Sequence, residues 1–485
     1  RVLSYDPDVV GASTTFEQTN SSLALLAGVK SRRPDVITLL GGGNCEGEMA
    51  EGLLTVSRAF DYVFSGECEG ALTTFLETVA AGARPPGRVV RGSPCTDMDD
   101  LPRPNFHDYY DALGALRASP FVASGDIWLP YECSRGCWWG QKSHCTFCGV
   151  NGESIAFRQK SASRVLEDLQ ALVEHHPSKR VCMVDNIMPH SYYRSLLPDL
   201  AAKKLGLHVF FEQKANLRLW QVELLRRAGV AIIQPGIEAL STELLASMRK
   251  GVTASQNIRL LRYCRSVDLS VNWNLLYALP GDVLRWYEDV RRLIPDVTHL
   301  HPPSGVFHLS LDRFSPYLRN PTDFGIRTVS PMEAYGDVLP PGADVARVAY
   351  HFTGDYDSES RVASEVMDGL REDVLEWRRR WSEGPLPTLS VTEIGDAVYL
   401  LLDTRAAGRF RVEFLGEARA RIALAGTRSA DDPELAWAVG ARVLAACDGG
   451  WVPLATGDGE LLRLMEEMPG CRDRPAADRR KETEP

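Results

Sequence analysis

Four cysteines lie close together between positions 133 and 148, in the segment ECSRGCWWGQKSHCTFCGVNG. Cys137, Cys145 and Cys148 have the spacing Cys-x7-Cys-x2-Cys, and Cys133 precedes them. Three thiolates from one loop suit an iron–sulfur cluster in which one iron has no protein ligand and stays open to a substrate. Four thiolates from one loop would instead complete a tetrahedral zinc site. The residue types and spacing predict a metal centre and leave these two alternatives open.

The cysteine segment directly follows the first of a series of predicted strands. Alternation of strands with helices is typical of βαβ units and a parallel sheet. The repeats between residues 126 and 325 predict an α/β fold with a partial (β/α)6 barrel and right-handed crossovers. In such barrels the residues that do chemistry lie at the carboxyl ends of the strands. The candidate strands are DIWLPYE, RVCMVDN, LHVFFEQ, VAIIQPG, LSVNWNLL and GVFHLSL.

A shorter alternation of strands and helices occupies residues 1–95. The runs DVVGAST, DVITLLGGGN and DYVFSGE are predicted strands, fewer than a complete doubly wound domain has. Ser13 and Thr14 end the first strand, and the glycines Gly41, Gly42 and Gly43 end the second. Small residues at neighbouring strand ends leave a crevice for a ligand at a topological switch point, although a glycine triplet also forms a simple turn. We expect an upstream part of this domain to be missing.

The remaining segments are assigned from composition and pattern. Residues 96–125 are rich in Pro, Asp and Gly and are predicted to be a linker, and residues 326–385 a helical connector. Residues 386–470 are predicted to be a small α/β domain, with AVYLLLDTR and RFRVEFLG as strands and PELAWAVGARVLAAC as a helix. Residues 471–485 are charged, lack large apolar side chains and are predicted to be disordered.

The composition argues against several classes of protein. A net charge of −10 over 485 residues argues against a general nucleic-acid-binding surface, which needs clustered basic residues. No uncharged apolar run reaches the length of about 18 residues that a membrane-spanning helix needs. The 11 cysteines, in a chain without a secretory signal, favour metal binding over a disulfide framework. We therefore expect a cytoplasmic protein with no nucleic-acid or membrane partner.

Several segments resemble the radical S-adenosylmethionine (SAM) enzymes, and more closely the cobalamin-binding RiPP maturation radical SAM C-methyltransferases, which modify ribosomally synthesised peptides. The matching segments are SRGCWWGQKSHCTFCGVNG, AFRQKS, VDNIMP, FFEQKANLR, IQPGIEALS, MRKGVTASQN, WNLLYALPGD, HLHPPSG and LDRFSPY. The family's usual Gly-Phe-Pro-Gly-Glu is here ALPGD at residues 278–282, so SAM or substrate contacts there are expected to differ. The resemblance implies a radical SAM barrel preceded by a truncated Rossmann-like cobalamin-binding domain.

The resemblance assigns the metal centre to three of the four cysteines. It implies that Cys137, Cys145 and Cys148 bind a 4Fe-4S cluster that reduces SAM. It also implies that the ring of Phe147 covers the adenine of SAM. The family usually has serine at the position of Cys133, which is therefore excluded from the cluster.

The resemblance also implies SAM contacts at the ends of the barrel strands. Asp185 and Asn186 end the second strand, where a carboxylate suits the methionyl ammonium group. A helix-capping pair is the alternative. Lys214 shares a strand face with Glu212, and an internal salt bridge is the alternative to a position in the cavity. The other predicted contacts are Glu238 with the ribose, Asn274 on the fifth strand, and Arg158, which either binds the SAM carboxylate or is simply solvated.

The predicted reaction is cobalamin-dependent methylation of an sp3 carbon in a ribosomally synthesised precursor peptide. Ser13, Thr14 and Gly41–Gly43 would hold the cobalamin tail. No histidine is expected on cobalt, because the sequence has no Asp-x-His-x-x-Gly motif. A reductant such as flavodoxin or ferredoxin is the expected electron donor, and residues 386–470 are a candidate for binding the leader peptide. The alternatives are radical cyclisation, crosslinking or rearrangement of the peptide, and a non-catalytic zinc-containing peptide-binding protein.

Overall fold

A computed structural model describes residues 1–116, 123–150, 152, 154–427 and 429–467. Its strands are β1 (Val9–Ser13), β2 (Ile37–Gly41), β3 (Tyr62–Ser65), β4 (Val89–Arg91), β5 (Trp128–Tyr131), β6 (Ser134–Arg135), β7 (Arg158–Gln159), β8 (Arg180–Met183), β9 (His208–Glu212), β10 (Val230–Gln234), β11 (Ser270–Val271), β12 (Leu275–Tyr277), β13 (Val306–His308), β14 (Leu311–Asp312), β15 (Thr328–Pro331), β16 (His351–Asp355), β17 (Leu389–Gly395), β18 (Val398–Asp403), β19 (Arg411–Gly416), β20 (Leu444–Cys447) and β21 (Gly450–Pro453). The α-helices are α1 (Thr19–Arg32), α2 (Glu48–Val56), α3 (Glu69–Ala80), α4 (His107–Ala115), α5 (Trp138–Lys142), α6 (Ala162–His175), α7 (Leu196–Lys203), α8 (Leu219–Arg227), α9 (Thr242–Ser247), α10 (Ala254–Ser266), α11 (Leu284–Val297), α12 (Pro316–Arg319), α13 (Ala334–Val338), α14 (Val345–Val348), α15 (Glu359–Val362), α16 (Ser364–Ser382), α17 (Glu417–Ala425), α18 (Leu435–Gly440) and α19 (Gly459–Glu467).

The chain divides into two compact units. The first unit comprises Arg1–Pro102, Ser134–Lys160 and Leu309–Asp357, and the second comprises Arg103–Cys133, Ser161–His308 and the chain from Ser358 onward. The segments predicted from sequence pattern divide the chain differently, and their boundaries stay predictions. The predicted disordered tail, residues 471–485, lies outside the described residues.

The first unit contains a four-stranded parallel sheet with the order β1-β2-β3-β4. Strand β2 is buried along most of its length, as expected for a parallel strand covered on both faces. Its alternate residues enter different cores: Leu40 packs with Val63, whereas Leu39 packs with Tyr62. The three strands predicted in this region are confirmed, and the apolar runs that identify them are the buried centre of the sheet.

Two features of this sheet differ from the sequence-based expectation. β4 lies within residues 1–95 but is not among the predicted strands, because three residues among prolines and glycines give too short a signal. The strand order also runs in one direction without a reversal, so the four described strands contain no topological switch point between β1 and β2. The predicted ligand crevice at Ser13 and Gly41–Gly43 therefore rests on its position at the strand ends alone.

The second unit contains the predicted partial barrel. Its parallel sheet has the order β11-β10-β9-β8-β5, and β12 and β13 form a further parallel pair. The fold class is thus confirmed as α/β with parallel sheets in chain order. The run LSVNWNLL, predicted as one strand, is split: β11 pairs with β10 and β12 pairs with β13. The residues between them, including Asn274, lie outside the strands, which corrects the predicted strand position of Asn274.

The chain after residue 325 is more β-rich than predicted. β15 and β16 pair antiparallel within the predicted helical connector. In the C-terminal segment, β17, β18 and β19 form an antiparallel sheet. The predicted helix over PELAWAVGARVLAAC ends early, as α18, and Leu444–Cys447 then pairs with β21. The segment packs on the barrel helices, since buried Arg262 donates to the carboxylate of Glu466 (2.8 Å) and to the carbonyl of Leu424.

Asp168 joins α6 to the first barrel strand. Its carboxylate is fully buried and accepts hydrogen bonds from Tyr131 (2.9 Å), Arg103 (2.8 Å) and Arg164 (3.0 Å). Burial alone would raise the pKa of Asp168, but these hydrogen bonds outweigh burial and hold the pKa below its usual range. Because the folded-state pKa is depressed, the stabilisation is present above the unfolded-state pKa of about 4 and is lost as the pH falls through the folded-state pKa.

We expect Asp168→Asn to lower the free energy of unfolding at pH 7 by about 3 kcal/mol, because it breaks a buried ion-paired network. The difference from the wild type should shrink as the pH falls below about 4, because the unfolded carboxylate then binds a proton that the native carboxylate, with its lowered pKa, does not yet bind. Denaturant unfolding at both pH values measures this. The exposed neighbour Glu167→Gln is the matched control and should change stability by less than about 0.5 kcal/mol. A difference independent of pH would contradict the prediction.

Candidate active site

A short ribbon closes the base of the cysteine loop. β6 and β7 pair antiparallel, with Arg135 opposite Arg158. Just inside this base, the backbone N–H of Cys137 donates to the carbonyl of Ile155 (3.2 Å). Cys137 also caps α5, where its Sγ accepts a hydrogen bond from the N–H of Gly140 (3.3 Å). The first of the three candidate ligands is thus held at the base of the loop.

Cys145 and Cys148 lie on a single turn further along the loop. The N–H of Cys148 donates to the carbonyl of Cys145 (3.2 Å), and Nε2 of His144 donates to the carbonyl of Cys148 (2.9 Å). Burial lowers the pKa of His144, which favours the neutral ring in this role. A Cβ at Gly149 would collide with the carbonyl of Arg313, so only glycine fits directly after the second cysteine of the turn.

The three thiols have the chemistry of a cluster ligand set. Cys137, Cys145 and Cys148 are partly exposed, as thiols that receive an inorganic cluster must be. Within the described residues, no three His, Cys, Asp or Glu side chains are already gathered around a metal position, these cysteines included. The donor types and their shared loop therefore fit a 4Fe-4S cluster. The assignment of individual cysteines stays a prediction.

Cys133 has a different environment from the three loop cysteines. It is fully buried, its N–H donates to Oδ1 of Asp185 (2.8 Å), and its Sγ donates to Oδ2 (3.0 Å). Tyr192 also donates to its carbonyl (3.5 Å). A thiol that donates a hydrogen bond is protonated, whereas a metal ligand is a thiolate. This geometry supports leaving Cys133 out of the ligand set.

Three carboxylates follow successive strands of the second unit: Asp185 after β8, Glu212 at the end of β9 and Glu238 after β10. Burial, followed by the charges of Glu238 and Asp185, raises the pKa of Glu212 to about 7, although Lys250 opposes the shift. Nζ of Lys250 lies 3.3 Å from Oε1 of Glu238, and Lys214 donates to the carbonyl of Lys250. The structure thus brings Asp185, Glu238 and Lys214 to one end of the sheet, as predicted from strand ends.

Lys250 and Glu212 are the residues that sequence reasoning did not select for this edge. Glu212 was noticed as the strand neighbour of Lys214, and the raised pKa that sets it apart depends on long-range burial. Lys250 lies in the matching segment MRKGVTASQN, well after the strand whose carboxylate it contacts. Asn186 follows Asp185 directly, and Phe147 is half-buried in the cysteine loop.

Arg158 contacts a carboxylate of the first unit. Its Nη2 lies 2.5 Å from Oε1 of Glu67, and Nη1 of Arg135 lies 2.7 Å from Oε2 of the same residue. Burial would raise the pKa of Glu67, but hydrogen bonds from Arg158, Cys95 and Arg135 outweigh it and lower the pKa to about 2. The predicted contact of Arg158 with the SAM carboxylate would have to compete with this ion pair. Sequence reasoning did not select Glu67 for this contact, since its arginine partners are distant in the chain.

The loops that follow β1 and β2 in the first unit pack closely against each other. Gly42 has φ of 102°, and a Cβ there would lie 2.5 Å from the carbonyl oxygen of Thr14. The buried hydroxyl of Thr14 contacts Thr19 (2.7 Å) and accepts from the side chain of Asn44 (3.1 Å). Glycine at position 42 therefore permits close approach of two loops. Ser13 and Gly43 are exposed and leave small groups at the edge where a cofactor tail is predicted.

Comparison with known proteins finds a family match over part of the chain and several more distant relatives. Residues 131–294 match the Radical SAM superfamily. The hopanoid C-3 methylase of Methylococcus capsulatus is 26% identical over 61% of this chain and 58% of its own length. An uncharacterised methyltransferase of Pyrococcus horikoshii is 22% identical over 57% of this chain and 62% of its own length. This chain thus spans less than two thirds of these relatives.

Two solved structures share the fold at low identity. The cobalamin-dependent SAM radical enzyme OxsB, with aqua-cobalamin and SAM bound, has a TM-score of 0.56 and 16% identity, covering 74% of this chain and 57% of its own. The radical SAM methyltransferase TsrM from Kitasatospora setae, with tryptophan and a SAM analogue bound, has a TM-score of 0.53 and 15% identity, covering 76% and 78%. Within the described residues, no helix combines the length and apolar character needed to cross a membrane.

Proposed function

We propose, from the match of residues 131–294 to the Radical SAM superfamily, that the protein is a cobalamin-dependent radical SAM methyltransferase. The observation that carries the proposal is the loop with Cys137, Cys145 and Cys148, directly after the first strand of a parallel barrel. Three thiols leave one iron of a 4Fe-4S cluster open, which suits chelation of SAM. When bound, the cluster and SAM supply radical chemistry at an unactivated carbon.

The second unit supplies groups that would hold SAM. Asp185 and Asn186 would bind the methionyl ammonium group, since a carboxylate forms a charge-assisted hydrogen bond with it. Glu238 would bind the ribose hydroxyls, with Lys214 and Asn274 at the neighbouring strand ends. The sequence resemblance assigns Phe147, in the cysteine loop, to the adenine of SAM. The raised pKa of Glu212 keeps part of this carboxyl neutral near pH 7, so it can donate as well as accept a hydrogen bond.

The first unit would bind cobalamin at the carboxyl ends of its parallel strands, which is where open α/β sheets bind ligands. Ser13, Thr14 and the glycines Gly41–Gly43 would line the position of the cobalamin tail, with Gly42 setting the loop spacing. No histidine is proposed as a cobalt ligand. An imidazole-ligated cobalt in the electron paramagnetic resonance spectrum of the reduced complex would contradict this assignment.

The proposed substrate is a ribosomally synthesised precursor peptide, methylated at an sp3 carbon. The support for a peptide is the sequence resemblance of the nine matching segments. After anaerobic reconstitution with iron, sulfide, cobalamin and a flavodoxin or ferredoxin reductant, candidate peptides would be incubated with SAM labelled in its methyl group. Transfer of the labelled methyl to the peptide is the expected result. A change of peptide mass without label would favour cyclisation, crosslinking or rearrangement, and zinc in place of iron would favour a binding protein.

The C-terminal sheet is the proposed contact for the leader part of the peptide. Val412 and Phe414 alternate along β19 and are 50% and 70% exposed, and Phe410 just before the strand is also exposed. In the three-stranded sheet β19 is an edge, so an extended peptide could pair with its main chain. Deleting residues 386–485 would strip Glu466 from buried Arg262, so Phe414→Ser is the cleaner test. Unchanged peptide affinity in this variant would refute the leader contact.

A further inference from the structure

Glu67 joins three separate segments of the first unit at one carboxylate. It lies in the loop after β3 and accepts hydrogen bonds from Arg135 (2.7 Å) and from Arg158 (2.5 and 2.9 Å). It also accepts from the N–H of Cys95 (2.9 Å), in the loop after β4. Arg158 in turn donates to the carbonyl of Cys95 (2.6 Å). Both ends of the cysteine loop are thus tied to the ends of two neighbouring strands.

These contacts of Glu67 with Arg135, Arg158 and Cys95 form a junction that is shielded from solvent more than an ordinary surface ion pair. The side chains of Glu67, Arg135 and Arg158 are 18%, 19% and 15% exposed. Charge-assisted bonds in such partly buried positions are less screened by salt than those on an open surface. Arg135 also contacts Glu69 at the start of α3 (2.6 Å), which extends the network by one further carboxylate.

The two arginines of the junction lie at the base of the cysteine loop. They face each other across the β6–β7 ribbon, which pairs only two residues on each side. A two-stranded ribbon this short is marginal by itself in water. Closing the loop between Arg135 and Arg158 also has an entropy cost that grows with loop length. A carboxylate that binds both arginines holds the two ends together and offsets that cost.

We propose that Glu67 is a positioning residue for the cluster: by binding Arg135 and Arg158 together, it holds the base of the cysteine loop closed on the strand-end loops of the first unit. The proposal rests on the proposed function only for the identity of the bound group, a 4Fe-4S cluster. The contacts that close the base of the loop do not depend on a bound cofactor. It also gives Arg158 a role distinct from binding the SAM carboxylate.

The test compares Glu67→Gln, Arg158→Gln and the double variant with the wild type, all as full-length protein. Asp35→Asn is the matched control, because Asp35 pairs with Arg33 at an exposed position of the same unit (2.8 Å). The first readout needs no cofactor: the rate of tryptic cleavage after Lys142, an exposed residue in the cysteine loop, in the apo protein. The second readout is the electron paramagnetic resonance spectrum and midpoint potential of the reconstituted cluster.

We expect each single variant to be cleaved after Lys142 at least about fivefold faster than the wild type, with a broadened cluster spectrum and unchanged unfolding of the whole protein. The effects of the two single variants should be less than additive in the double variant, since both variants remove the shared Glu67–Arg158 ion pair. Wild-type cleavage rates in the single variants, or additive effects in the double variant, would overturn the proposal. Faster cleavage of the single variants, together with a wild-type protein that takes up no iron, would instead refute the proposed function and leave the proposed role of Glu67 in place.

Discussion

Replacing any one of Cys137, Cys145 and Cys148 by alanine is expected to abolish assembly of a 4Fe-4S cluster, whereas Cys133→Ala is expected to preserve it. Each loop cysteine would supply one of only three protein thiolates, so two remaining ligands cannot hold the cluster in place. Cys133 is fully buried and donates its thiol hydrogen bond to Asp185 (3.0 Å). Its removal should therefore affect the carboxylate and leave the iron ligands in place.

The measurement is iron and acid-labile sulfide per chain after anaerobic reconstitution, together with the visible absorption of the cluster. The loop variants should lose at least about tenfold in reductive cleavage of SAM. Cys133→Ser is the matched control for Cys133→Ala, because its hydroxyl keeps a donor to Asp185. Loss of the cluster in Cys133→Ala, or full iron loading in one of the loop variants, would mean that the ligand set is assigned incorrectly.

The strands of both parallel sheets could be predicted because their signal is local. Runs such as DVITLL and VAIIQ are apolar over a strand length, and in the structure they are the buried β2 and β10. The cysteine spacing is local as well, so the candidate ligands could be selected before any fold was known. Strand ends also pointed to Asp185 and Glu238, since parallel strands bring their carboxyl ends to one edge.

What could not be predicted depends on partners that are distant in the chain. Glu67 and Arg158 are far apart in sequence, and neither has a local pattern that indicates an ion pair. The break between β11 and β12 was missed because LSVNWNLL reads as a continuous strand, while its two halves pair with different neighbours. β20 was read as helix because its four residues continue an alanine-rich run, and only pairing with β21 makes them a strand.

The ALPGD segment, residues 278–282, is a further case in which contacts distant in the chain could not be predicted. The sequence resemblance had indicated SAM or substrate contacts there. Ala278 has φ of 64°, a left-handed conformation that glycine, the usual residue in the resembled family, adopts without strain. Its N–H donates to the hydroxyl of Ser360 (2.9 Å). Asp282, where the resembled family usually has glutamate, lies in the interior and is 3% exposed. The sequence alone did not distinguish this structural role from a contact with SAM.

Asp282→Ala is expected to lower the free energy of unfolding by about 3 kcal/mol or more, because each buried donor left without its acceptor costs about 1–3 kcal/mol. The carboxylate accepts from the hydroxyls of Tyr287 (2.7 Å), Ser358 (2.7 Å) and Ser360 (2.5 Å), and from the N–H of Leu279 (3.1 Å). Tyr287 and Ser360 are buried, so their hydroxyls would lose their partner without gaining water. The variant would also release the start of α15 from the loop before α11.

Denaturant unfolding of the apo protein measures this loss, and Asp289→Asn is the matched control. Asp289 is half exposed on α11 and pairs with Arg292, so its replacement should change stability by less than about 0.5 kcal/mol. Because the oxygens of Asp282 are already engaged by donors of the chain itself, the folded fraction of Asp282→Ala should still bind SAM. A variant that unfolds like the wild type but has lost SAM binding would show that Asp282 contacts the ligand. That result would return the ALPGD segment to the active site.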